Sequence, residues 1–169
     1  MTRKAFLFVF VLLTAMVVAF SAFGDDSSPW IRTGFATRTK VVFKVYDISH
    51  DMKVKVAKSG DAVVNQDCDK RFTLTFRRDV PKDKIASAFA ETIDAGPTRD
   101  KLVAAFPAEI KEKDNVTIVY NAQTKVTTIW AKGGSTQTVS GFDESKKIWA
   151  IWFKRIDDSS VRNGLIANL

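Results

Sequence analysis

The chain has 169 residues, 46% of them apolar and 27% charged, with a formal net charge of +7 and a single cysteine. That length allows about one domain behind a short leader, with a core large enough to fold without disulfide staples. One thiol excludes an internal disulfide and a cysteine-based zinc site, and basic residues scattered among acids (Lys53, Lys55, Lys58, Lys82, Lys84, Lys111, Lys113) argue against a nucleic-acid stripe.

Met1 to Lys4 is positive, Ala5 to Phe20 is apolar except for Thr14, and Ser21-Ala22-Phe23-Gly24 follows with the small residues Ala22 and Gly24 spaced as a cleavage site requires. This order predicts a secretory signal peptide over 1–24, cut after Gly24 or, second, after Ser21, and a single domain over 25–169. The expected location is periplasmic or secreted. If retained, the apolar run of about 19 residues is near the length that spans a bilayer and brings the domain close to a membrane.

Ser27-Ser28-Pro29 reads as a flexible lead-in. Val41 to Ile48 is β-branched and aromatic and predicts a strand, with Met52 to Val56 as a short continuation and Ser59-Gly60-Asp61 as a turn. Arg71 to Arg77 alternates, with Phe72, Leu74 and Phe76 toward the core. Asp79-Val80-Pro81 starts a helix whose inner positions are Ile85, Ala88, Phe89, Thr92 and Ile93, and Gly96-Pro97 stops it. A second helix is predicted from Thr98, capped by its hydroxyl, with Leu102, Ala105 and Phe106 inward and Pro107 at its end. Asn115 to Tyr120 and Lys125 to Ala131 form a hairpin, and a short strand follows at Thr136 to Val139. A helix over Phe142 to Phe153 carries Ile148, Trp149, Ile151 and Trp152, and Asp157-Asp158-Ser159-Ser160 caps a last helix. Strands, a helix pair, a meander and terminal helices together predict an α+β domain with a mainly antiparallel sheet.

Few residues are candidates for chemistry. His50, the only histidine, stands in Ser49-His50-Asp51 at an expected exposed strand end, and neither a catalytic triad nor a zinc site is assembled around it. Asp79, Asp83 and Glu91 read as a helix start and a solvated helix face, and Cys68 lies between acids that disfavour a thiolate. No catalytic residue, metal ligand or cofactor is assigned. Arg38 precedes an apolar strand and can pair bidentately with a carboxylate. Tyr46 can add a hydroxyl donor, with Ile85, Phe89 and Thr92 as an apolar wall with one polar tip. A surface Arg and a rim Tyr at a sheet edge fit the same residues equally well.

Three segments in order, Gly34 to Tyr46, Leu74 to Val80, and Gly141-Phe142-Asp143 with Ile148 to Phe153, resemble the bacterial chalcone isomerase-like family over about residues 33 to 169. The resemblance implies an open-faced β-sandwich: a large, mainly antiparallel sheet with helices layered on it and a ligand cleft between. Arg38 matches the early-strand Arg of the plant enzymes, and Tyr46 stands where their strand Thr lies. Ile85 and Thr92 stand where those enzymes carry a Tyr and an Asn. The fatty-acid-binding relatives hold a carboxylate with an Arg and a Tyr, which implies a non-catalytic binder of a small amphipathic acid. The rivals are an isomerase of the chalcone-flavanone type and an envelope scaffold using Trp130, Trp149 and Trp152. Two segments depart from the family pattern: Asp47-Ile48-Ser49-His50-Asp51, where relatives are apolar, and Phe153-Lys154, where they carry a Gly. The sequence leaves the ligand and the oligomeric state open.

Overall fold

Two ten-residue strands, β1 (Ile31–Lys40) and β2 (Phe43–Met52), open the described part of the chain. The computed structural model describes residues 28–169, so the expected leader over 1–24 lies outside the described residues. α1 (Gly60–Asn65), β3 (Lys70–Phe76), β4 (Val80–Pro81), α2 (Lys82–Thr92), α3 (Pro97–Ala105) and β5 (Glu109–Ile110) follow. The chain then forms β6 (Asn115–Asn121), β7 (Val126–Ala131), β8 (Gln137–Ser140), α4 (Phe142–Ala150), a π-helical turn (Ile151–Arg155) and α5 (Ser159–Leu165). Six strands make one antiparallel sheet in the order β1-β2-β3-β6-β7-β8, and β4 pairs with β5 alone. The fold is α+β, as the pattern of elements predicts.

Strand alternation separates the two faces of the sheet. Ile48, Phe72, Leu74, Phe76, Val116, Ile118 and Ile129 are buried beneath the helices, as the period-two pattern of β3 requires. The opposite face carries Thr73, Thr75, Thr117 and Thr128 and the exposed Trp130. There the acids of β2 lie under arginines: Asp47 accepts from Thr37 and Arg77, and Asp51 accepts from Arg32 and Arg71.

Several local expectations are corrected. Val41 and Val42 form the two-residue turn between β1 and β2 instead of starting a strand, and β1 itself is a strand that the apolar pattern did not single out. Val41 adopts φ 61°. A β-branched residue is rare in that left-handed region, and such positions cost on the order of 1–3 kcal/mol. Ser59-Gly60-Asp61 is no turn but the start of α1, where the Ser59 hydroxyl accepts from the Ala62 N–H. Thr98 does not cap α3; Gly96 does, and the Thr98 hydroxyl instead donates to Glu144. The helix expected to run from Phe142 to Phe153 is α-helical only to Ala150 and then widens, with the Ile156 N–H bonded to the Ile151 carbonyl. Residues 148–153 are all buried, because α1, α2 and α5 pack around this turn while α4 lies on the sheet.

His50 is wholly buried, not exposed. The strand alternation that puts Ile48 under the helices puts His50 there too. Its Nε2 accepts from the Trp149 indole N–H at 2.9 Å. Indole only donates, so the proton sits on Nδ1, which donates to Thr33 Oγ1 at 2.7 Å. The Thr33 hydroxyl in turn donates to the Leu165 carbonyl at 2.8 Å. Thr33 reaches inward because a bulge between Arg32 and Gly34 inserts it as an extra residue. One imidazole thus joins α4, β2, β1 and the end of α5.

The same contact forces glycine on both sides. A Cβ on Gly34 would lie 2.0 Å from the Gly164 carbonyl oxygen, and one on Gly164 would lie 2.7 Å from the Phe35 carbonyl oxygen. Gly34→Ala is therefore expected to lift α5 from β1 and destabilise the protein by about 3 kcal/mol or more; thermal unfolding read by circular dichroism checks this. Burial, with Lys70 and Arg32 adding positive charge nearby, holds the His50 pKa well below 6.5. Unfolded His50 takes a proton near pH 6.5, whereas the folded imidazole does not. The unfolded state then binds more protons, so stability is full above that pH and falls as pH drops toward the folded pKa. The loss approaches about 1.4 kcal/mol per pH unit. Urea unfolding between about pH 5 and 7 is expected to show this slope in the wild type and a flatter one in His50→Gln.

Candidate functional site

Arg38 lies near the end of β1, faces the helices as Ala36 does, and stands opposite Tyr46 on β2. Its side chain is only 15% exposed. The guanidinium is held by the loop that precedes α5: Nη2 lies 2.6 Å from Asp157 Oδ1 and Nη1 lies 3.1 Å from Asp158 Oδ2. Burial opposes the charge, but the hydrogen bond and charge of Asp157 outweigh it and raise the Arg38 pKa further. Asp158 also caps α5, accepting from the Ser160 N–H and hydroxyl, and Ser160 and Arg38 together hold its carboxyl below the usual range despite burial. Asp157 has no such second duty among the described residues, and its side chain is 83% exposed. The site therefore holds one carboxylate built into a helix cap and one that is turned to solvent.

Tyr46 completes the polar end. Its hydroxyl oxygen accepts from the Trp152 indole N–H at 3.1 Å. Among the described residues no acceptor takes the hydroxyl hydrogen, so one donor is left over beside Arg38. Burial pushes the Tyr46 pKa up, which keeps the hydroxyl a neutral donor. Its ring begins a run of aromatic side chains: Tyr46 to Phe76 at 5.7 Å, Phe76 to Phe106 at 6.5 Å, and Phe106 to Phe89 at 5.8 Å. These rings lead from the guanidinium to the inner face of α2.

The five predicted site residues are thus placed in three ways. Arg38 and Tyr46 come together as a polar pair. Ile85 and Phe89 form the inner face of α2, but they are packed into the core, so the space between α2 and the sheet is filled by side chains. Thr92 uses its hydroxyl within its own helix, donating to the Ala88 carbonyl at 3.0 Å. An open cleft of about 450 Å³ lies elsewhere, between the α2–α3 turn, β8 and α4, lined among others by Ile93, Pro97, Lys101, Val139 and Lys147.

Sequence reading missed Asp157 and Asp158 as partners of Arg38. The two acids are legible as a helix cap, but nothing local signals a pairing across 119 residues. It also missed Lys70, which is fully buried. The Lys70 ammonium donates to the carbonyls of Val63, Val64 and Gln66 at 2.9 to 3.1 Å, closing the C-terminus of α1, and lies 5.3 to 5.8 Å from the ring centres of Tyr120, Phe142 and Trp149. Burial pushes its pKa down to about 8, so it remains mostly charged at neutral pH. Cys68 is buried and its thiol pKa is raised by that burial, so it carries no nucleophile. Of the three tryptophans weighed as a docking patch, Trp149 and Trp152 are core and only Trp130 is exposed. Among the described residues no three His, Cys, Asp or Glu side chains gather as metal ligands, and no helix is long and apolar enough to cross a membrane.

No curated protein sequence matches the chain. Among solved structures, the crystal structure of a fatty-acid binding protein from Arabidopsis thaliana is similar, with a TM-score of 0.59 and 13% identity over 84% of this chain and 88% of that one. At that identity the likeness is one of fold. A family model described as chalcone isomerase-like matches residues 28–167, nearly all of the described chain. With the six-stranded antiparallel sheet and its helices in place, and with the match running from before β1 to beyond α5, this chain belongs to the chalcone isomerase-like family.

Proposed function

We propose that the protein is an exported, non-catalytic binder of a fatty acid or similar amphipathic carboxylate, with Arg38 and Tyr46 at the head group. The observation that carries this reading is a nearly buried guanidinium beside a hydroxyl with an unspent hydrogen, its most exposed partner being the solvent-facing carboxylate of Asp157. An incoming carboxylate replaces Asp157 on Arg38 with little change in charge balance and gains the Tyr46 donor. Asp158 stays behind as the helix cap. The alkyl chain then enters along Phe76, Phe106 and Phe89, and α2 must shift outward to admit it because Ile85 and Phe89 now fill that space. The solved fatty-acid binding protein of similar fold supports this class of ligand. Export rests on the charge, apolar run and small residues of positions 1–24.

Catalysis of the isomerase type asks for several fixed donors around a developing oxyanion. Here Ile85 offers none and Thr92 spends its hydroxyl on its own helix, which leaves Arg38 and Tyr46 alone.

Titration with dodecanoic and hexadecanoic acid, followed by calorimetry and native mass spectrometry, tests this reading. One acid per chain is expected. Arg38→Ala is expected to weaken binding tenfold or more, since a hydrogen bond to a charged group contributes about 1.5–3 kcal/mol. Asp157→Asn is expected to tighten binding severalfold by removing the competing carboxylate. If neither acid binds the wild type, or if Arg38→Ala binds as well as the wild type, the assignment fails. Loss of binding on Lys101→Ala or Lys147→Ala alone would move the head group to the open cleft.

A further inference from the structure

The tip of the first hairpin is built against ordinary economy. Val41, Val42 and Phe43 are consecutive, and they are 89%, 77% and 58% exposed. The tight turn of Val41 and Val42 places Val41 at φ 61°, a conformation that glycine takes without strain and a β-branched residue resists. An apolar, strained residue that is 89% exposed serves neither folding nor solubility.

Around this tip stand Lys40, Lys44 and Arg78. Lys40 pairs with Phe43 in the strand register, Thr39 pairs with Lys44, and the Arg78 guanidinium lies 4.8 Å from the centre of the Phe43 ring. Among the described residues none of these three cations is in an ion pair with an acid. The neighbouring acids are engaged elsewhere: Asp47 with Arg77, Asp157 and Asp158 with Arg38, and Asp79 with Lys111 and the Glu112 N–H. The result is an apolar point inside a collar of unpaired positive charge.

We propose that this hairpin docks the protein on a bilayer containing anionic lipid, with Val41, Val42 and Phe43 entering the interface and Lys40, Lys44 and Arg78 meeting the headgroups. Two kinds of attraction then add: burial of apolar surface below the headgroups and charge attraction at their level. A protein surface suits the tip less well, since three side chains are far from the area that a stable interface buries. A second copy of the chain suits it least, because tip-to-tip contact brings two basic collars together. The inference stands independently of any ligand at Arg38, although it sets that guanidinium, at the same end of β1, toward the lipid.

The test uses the exported chain from Asp25 onward, without the apolar run that would enter vesicles by itself, with an environment-sensitive nitrobenzoxadiazole dye on Val42→Cys. Cys68 is buried and does not compete for the label. The control carries the dye on Thr124→Cys, in the β6–β7 turn at the opposite end of the sheet. With vesicles of phosphatidylcholine containing about a third phosphatidylglycerol, a blue shift is expected at position 42 and none at 124. Pure phosphatidylcholine vesicles are expected to give a much weaker response. Removing one collar charge, as in Lys40→Ala, Lys44→Ala or Arg78→Ala, is expected to lower vesicle partitioning roughly fivefold. Val41→Gly is expected to melt higher than the wild type while partitioning less. The proposal is overturned if the dye at 42 ignores anionic vesicles, if position 124 responds equally, or if the shift appears without vesicles as protein concentration rises.

Discussion

A single neutral imidazole, wholly buried and with both nitrogens in use, ties the last helix to the first strand. His50 takes a hydrogen from Trp149 and passes one to Thr33, which passes one to the Leu165 carbonyl. A buried polar group left unpaired costs about 1–3 kcal/mol, so the chain is stable only when all its members are in place. It fixes where α5 lies on β1, and glycines at 34 and 164 allow the two backbones to meet. The position of α5 then decides what happens at Arg38. Asp158 is the cap of that helix, and Asp157 precedes it, so the acids that hold the guanidinium are delivered by the same docking.

The polar and apolar parts of the sheet are arranged by one alternation. The segment Asp47-Ile48-Ser49-His50-Asp51 looks too polar for a central strand. Its odd members face away from the helices, where Arg32, Arg71 and Arg77 cover the carboxylates, and its even members face the core. Lys70, wholly buried, is likewise held by oxygen, here by three carbonyls at the end of α1, with three rings around it. Arg38 differs from Lys70 in one respect that bears on function: one of its partners, Asp157, faces solvent and is replaceable.

Much of the fold was legible in the sequence where a repeat of two or of 3.6 residues ran uninterrupted. The clean alternation of β3 gave Phe72, Leu74 and Phe76 their burial, and the β6–β7 hairpin and the Asp158 cap followed from local signals. The first hairpin was misread because Val41 and Val42 have strand-forming side chains but stand in a turn, at a backbone angle their type rarely takes. The candidate site was half legible. Arg38 and Tyr46 meet because they are opposite one another across one hairpin. Ile85, Phe89 and Thr92 were correctly put on one helix, but whether an inner helix face lines a slot or fills it depends on packing from other elements.

By itself, then, the sequence determined the α+β class, the core face of β3 and the family resemblance, because each is written in patterns a few residues long or in motifs read in order. Only the tertiary structure decided that His50 is buried and neutral, that Lys70 closes a helix, that Asp157 and Asp158 sit on Arg38, and that an apolar tip stands inside a basic collar. The indole on His50 and the acid on Arg38 arrive from 99 and 119 positions away, Lys70 turns onto carbonyls of the preceding helix under rings brought by other elements, and the tip depends on which face of an element its neighbours leave uncovered. Local periodicity carries no record of either.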